Sequence, residues 1–202
     1  MAVIVLRGGV EIESPLEPAL EFLTAYSSLE TPSPSGSASL DERDLRLANR
    51  AGARISAVEI HTILERRGEI ERVLRTIPPT TSLTSPASSI PWAPLEQLFD
   101  AFADIRGVGL SKVTKTLHRK RPALIPMLDS VVQGYLARED PASRAKQPFG
   151  QRAIALVRSY KRDLDRNRAG LLRLQRELAA HGYRLTEVRI LDLLIWSLSA
   201  GR

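Results

Sequence analysis

Residues 105–109 read Ile-Arg-Gly-Val-Gly, and residues 106–121 carry Arg106, Lys112, Lys115, Arg119, Lys120 and Arg121 without a single carboxylate among them. Gly107 and Gly109 flank Val108 and permit a tight turn whose backbone can come close to another molecule. Phosphate is the chemistry such a turn suits, because short N–H donors need no side-chain ordering and the N-terminus of a following helix favours an anion. Ser111 is placed to cap that helix. His118 falls between the helix and the basic stretch KRPALIP, where contact with phosphate competes with an ordinary surface or capping role. Asp129 follows Gly107 by 22 residues. It stands at the start of a further helix, so capping has to be weighed before catalysis.

The elements that must hold these residues are helices. Leu95, Leu98, Phe99, Phe102 and Ile105 recur at spacings of three and four and predict a helix ahead of the glycine turn, and Val113 and Leu117 predict one after it. Pro122 and Pro126 oppose helix continuation, and Val131, Val132 and Tyr135 mark the helix after Asp129. Upstream, Ser14-Pro15 with Glu17 is a helix start, another helix begins near Leu40 or Asp41 and breaks around Gly52, and Ser56 with Glu59 forms a capping-box pair. The apolar stripe then continues past Gly68 until Pro78 and Pro79 stop it. Downstream, helices are expected around 148–165, 168–181 and 186–199, with Gly182 ending the second and Thr186 starting the third. The stretch 1–13 is expected to be a short N-terminal arm, extended or strand-forming, with Gly8 and Gly9 allowing a reversal. Residues 14–202 then make a single helical domain in which 78–94 is an internal loop, poor in charge and rich in Pro, Ser and Thr, and 95–136 is the unit of glycine turn plus Asp.

Composition bounds the chemistry. With no cysteine in 202 residues, thiolate-ligated zinc, iron–sulfur clusters and cysteine nucleophiles are excluded, and three scattered histidines make a zinc site improbable. No cofactor and no metal are expected. The net charge of +6 is unevenly spread: residues 1–105 sum to −6, and residues 106–150 and 151–202 each to +6. Such asymmetry steers a polyanion toward one surface, or only keeps a protein in solution. The apolar start, Met1 to Leu6, is too short for a signal core or a membrane span, so no membrane partner and a cytoplasmic location are expected. Arg158, Arg162, Arg166 and Arg168 could extend a phosphate-binding surface, although Asp163 and Asp165 permit pairing within the helix. Trp92 and Tyr135 could stack on a base, with core packing the stronger reading for Tyr135; Trp196 reads as core, and His61 and His181 as ordinary helix residues.

The turn Ile105–Gly109 resembles the hairpin of helix-hairpin-helix DNA-binding modules, and the order glycine turn, helix, loop, Asp129, helix resembles the endonuclease III-like superfamily of DNA glycosylases, nearer to an uncharacterised bacterial branch. The likeness covers about residues 95–136. It implies an all-α, helix-hairpin-helix DNA glycosylase-like fold, and a DNA repair protein that grips DNA phosphates through Arg106, Gly107, Val108, Gly109, Ser111, Lys112, Lys115, His118, Arg119, Lys120 and Arg121. In those glycosylases the matching aspartate stabilises positive charge on the deoxyribose as the glycosidic bond breaks, which would make Asp129 the catalytic residue of a hydrolase. Ungapped comparison puts Ser111 where lysine-dependent members carry their nucleophile, and one residue along a helix is a turn of about 100°, so Lys112 does not inherit that role. The implied enzyme is monofunctional. Two departures stand beside the likeness: there is no cysteine set for a cluster, and Asp129-Ser130-Val131 replaces the familiar Asp-Thr-His. The alternative is a non-catalytic DNA-binding module in which Asp129 is a helix cap.

Overall fold

The computed structural model describes residues 3–25, 36–138 and 147–200, without the side chains of 198–200. The architecture is predominantly helical. Two short strands, β1 (Ile4–Leu6) and β2 (Val10–Ile12), precede nine helices among the described residues: α1 (Leu16–Ala25), α2 (Glu42–Arg50), α3 (Ala57–Glu65), α4 (Arg67–Thr76), α5 (Trp92–Asp100), α6 (Leu110–His118), α7 (Ser130–Leu136), α8 (Phe149–Ala180) and α9 (Glu187–Ala200). No helix among the described residues is long and apolar enough to cross a membrane.

Local chemistry accounts for most boundaries. Asp41 and Asp44 form a reciprocal capping box at α2, and Ser56 and Glu59 form one at α3. Proline follows α4 as expected, and Gly182, at φ 89°, lets the chain turn out of α8. The loop expected after α1 lies, through residue 35, outside the described residues.

The stretch 1–13 folds as an antiparallel pair in which Ile4 faces Ile12 and Leu6 faces Val10, turning through Gly8 and Gly9 at φ 77° and 69°. This hairpin is built into the helical core. Arg7 is buried, donates to Asp163 Oδ2 at 2.7 Å and reaches the Leu136 and Ser159 carbonyls, while Asn167 brackets Val5 N and O.

The expected break near residues 165–168 is absent: α8 runs unbroken for 32 residues. Gly170 sits inside it for a packing reason, since a Cβ there would meet Ile4 Cδ1 at 2.7 Å and the Val3 carbonyl at 2.8 Å. α8 is the spine against which α5, α9, α1, α7 and β1 pack, while α2 packs on α6 and α4 on α5. The connector before α5 ends at Pro91, not Pro94, and it is not an exposed spacer. Leu83 is fully buried and donates its N–H to Ala123 O at 2.8 Å, and Lys161 caps the Leu83 and Ser85 carbonyls.

Candidate functional site

At the glycine turn, Val108 tucks into the core and donates its N–H to Ile105 O at 3.0 Å, while Arg106, Gly107 and Gly109 face solvent. Gly107 takes φ 83°, and a Cβ there would run into the Glu59 carboxylate, so both conformation and space demand glycine. Gly109, not Ser111, is the N-cap of α6, and it makes no side-chain cap. Ser111 lies half-buried in the first turn. Among the described residues, the amides of Gly109, Leu110 and Ser111 find no protein acceptor, which leaves three successive donors at the positive end of a helix.

The turn opens onto a cleft of about 840 Å³. One wall is the α6 face carrying Ser111, Lys112 and Lys115; a second is the end of α2 and the loop after it, with Arg50, Gly52 and Arg54; α9 contributes Arg189, Asp192 and Trp196, and α1 contributes Phe22. Asp129 lies at the bottom, 4% exposed. Its Oδ1 accepts the Val131 and Val132 N–H groups, both at 3.1 Å, and Oδ2 accepts the Trp196 indole N–H at 2.9 Å. The expected cap is therefore real, and it uses one oxygen. Lys115 Nζ stands 3.7 Å from Oδ2, an ion pair at longer range, on the same helix face as Ser111 one turn earlier.

Several residues assigned to the phosphate surface are engaged elsewhere. Lys112 Nζ donates to both oxygens of Glu59 at 2.7 and 2.8 Å, which fastens α6 to the start of α3. Partial burial opposes it, but the Lys112 ammonium and the Ser56 N–H hold the Glu59 carboxyl below the usual range. Lys120 is 1% exposed and pairs with buried Asp44 at 2.8 Å; burial lowers its pKa against the pull of that carboxylate. Arg121, also 1% exposed, donates to Leu74 O and Ile77 O at the end of α4 and to Ser37 O. His118 is buried, its Nδ1 2.6 Å from Ile125 O, and desolvation with the charges of Arg189 and Arg119 pushes its pKa down to about 3. Lys120, Arg121 and His118 are thus corrected from DNA contacts to interior residues. Arg119 is half-buried at the C-cap of α6. From the basic run, Ser111, Lys112 and Lys115 line the cleft beside Gly107 and Gly109, and Arg106 is exposed in the turn itself.

Sequence reasoning missed the second wall and the α9 face. Arg189, Asp192 and Trp196 are spaced i, i+3, i+7, and the signal was an aspartate inside the apolar run ILDLLIWSL. Asp192 is fully buried, accepts the Met127 N–H at 3.2 Å, and has its pKa pushed up to about 7 by burial, with the charge of Asp129 adding and Arg189 opposing. Trp196, read as core, is a donor to Asp129. A second groove, about 950 Å³ between α1 and the end of α8, is bordered by Glu13, Glu17, Glu21 and Glu177 and repels a polyanion.

No curated protein and no solved structure matches the chain significantly. A family model matches residues 23–199, and the chain belongs to that family, DUF6308, a family of unknown function.

Proposed function

We propose that this protein binds DNA through the backbone of the glycine turn, on a helix-hairpin-helix DNA glycosylase-like fold, and that Asp129 serves hydrolysis of an N-glycosidic bond in a nucleotide drawn into the cleft. One observation carries the reading: Gly109 and Ser111, two of the three residues whose amides find no acceptor at the start of α6, border the same cleft as the recessed Asp129 carboxylate. The amides receive a backbone phosphate without ordering a side chain. As the base departs with the bonding electrons, positive charge develops on the deoxyribose, and a fixed carboxylate beside it lowers the energy of that state. Water supplies the oxygen for the sugar and the proton for the base. The two N–H bonds to Oδ1 and the indole bond to Oδ2 fix the orientation of Asp129, which is what preorganisation requires.

A second reading is favoured by those same bonds, since a carboxylate with both oxygens engaged is also a complete helix cap. In that reading the protein binds DNA and leaves the base in place. Incubating wild type and Asp129→Asn with duplexes carrying uracil, alkylated, oxidised, deaminated or mismatched bases, then cleaving abasic sites chemically, separates the two. Asparagine keeps an acceptor for the cap and removes the charge. Product from wild type alone establishes the hydrolase; binding by both without product establishes the module.

A further inference from the structure

The loop after α2 is a preformed piece. Asn49 grips Ile55 from both sides, donating Nδ2 to its carbonyl at 2.8 Å and accepting its N–H at 2.6 Å. Gly52 turns at φ 73° with its N–H on Asn49 O at 2.9 Å, and Ala53 N–H reaches Ala48 O at 3.1 Å. Within this staple Arg54 is held at φ 56°, a conformation that glycine adopts freely and a long side chain rarely does. What arginine supplies and glycine lacks is a guanidinium, and the protein does not consume it internally. Among the described residues neither Arg50 nor Arg54 makes an ion pair or side-chain hydrogen bond, both are exposed, and both line the cleft.

The placement of charge in the cleft says what it accepts. Its recessed part carries two carboxylates, Asp129 and Asp192, with Lys115 and Arg189 beside them, and its exposed residues bring free guanidinium groups on the loop side and the bare amides of Gly109 and Ser111 on the turn side. The recessed cations are offset by those carboxylates, so an anion is attracted to the uncompensated groups at both rims. A ligand matching that pattern is charged at its two ends and neutral between them. Gly52 packs on α6 closely enough that a Cβ there would lie 3.7 Å from Lys115 Nζ, itself 3.7 Å from Asp129 Oδ2, so the loop stands one lysine head away from the carboxylate.

We infer that Arg50 and Arg54 form a second phosphate site facing the glycine turn, so that the cleft takes one nucleotide of a DNA strand held by the phosphates on both its sides. The inference rests on the DNA reading above and adds the partner of the second wall. Paired guanidinium N–H donors suit phosphate oxygens, and the cleft is of a size that ordinarily encloses a small ligand.

The test is fluorescence anisotropy with a labelled duplex carrying one tetrahydrofuran abasic analogue, in versions where a single flanking phosphate is a neutral methylphosphonate. The proteins are wild type, Arg50→Gln/Arg54→Gln, Arg54→Gly and Arg106→Gln. The double variant is expected to bind about tenfold or more weakly and to lower the salt slope by about one phosphate contact. One methylphosphonate position that weakens wild type should leave the double variant unaffected, while Arg106→Gln still senses it. Arg54→Gly should raise the melting temperature by about 2–4 °C and still lose affinity. A more stable Arg54→Gly with wild-type affinity, or a double variant as sensitive as wild type at every position, overturns the second site. If Arg106→Gln weakens binding and the loop variants do not, the DNA reading stands and this inference falls. Failure of wild type to bind any of the duplexes overturns both.

Discussion

Two basic segments behave in opposite ways. Residues 119–121, Arg-Lys-Arg in the most cationic part of the chain, turn inward: Lys120 pairs with Asp44 in the core, and Arg121 closes the carbonyl end of α4. The loop carrying Arg50 and Arg54 lies in the half of the sequence that sums to −6, yet its guanidinium groups stand free at the mouth of the cleft. Charge along a sequence therefore does not map onto charge on a surface. A cation is available to a partner only when no carbonyl or carboxylate inside the fold has claimed it.

Breaking the buried segment should have the largest effect. Lys120→Ala leaves Asp44 buried and uncompensated and is expected to cost about 3–5 kcal/mol in urea unfolding, whereas Lys120→Met combined with Asp44→Leu recovers most of that. Arg121→Met strips the Leu74 and Ile77 carbonyls of donors and should cost about 3 kcal/mol, with the salt dependence of the proposed DNA binding unchanged in the folded fraction. Gly107→Ala strains the turn and displaces Glu59 from Lys112; a loss of about 1–3 kcal/mol by thermal unfolding is expected, and the proposed DNA binding should weaken with it. Asp192 sharpens the comparison from the acidic side. Its folded pKa of about 7 lies above the unfolded value, so this group binds more protons folded than unfolded, and its contribution to stability falls as pH rises from about 4 through about 7. The groups facing it, Arg189, Tyr160 and Asp129, remain in Asp192→Asn, so the variant should gain on wild type by about 1 kcal/mol or more between pH 5 and 8. The smallest effect belongs to the free loop: Arg54→Gly should stabilise by about 0.5–1 kcal/mol in the same unfolding assay.

Helices were legible where a single residue type dictates geometry. The capping pair Ser56–Glu59, the start of α2 near Asp41, the proline after α4 and the glycine after α8 all carry their reason in the local sequence. The continuity of α8 was not legible, because Gly170 answers to Ile4 and Val3, more than 160 positions away, rather than to its neighbours. The glycine turn and the cap at Asp129 were readable from spacing. The cleft was not: its second wall comes from a loop whose Asn49–Ile55 staple has no composition signal, and its back from an indole whose hydrogen bond depends on where α9 is laid. Burial of Lys120, Arg121 and His118 was equally hidden, since a basic run looks the same in sequence whether its partners are solvent or helix-end carbonyls.

The seat of the N-terminal hairpin on α8 also sets an order of events. Val5 is bonded to Asn167 and Arg7 to Asp163, so the hairpin, although its two strands pair locally, has no finished seat until α8 has been formed. Contacts of that sequence separation delay folding by the time and entropy of closing a very long loop. Until then Ile4 and Leu6 lack the core that buries them, and this apolar face is the part of the unfinished fold that a chaperone would be expected to shield.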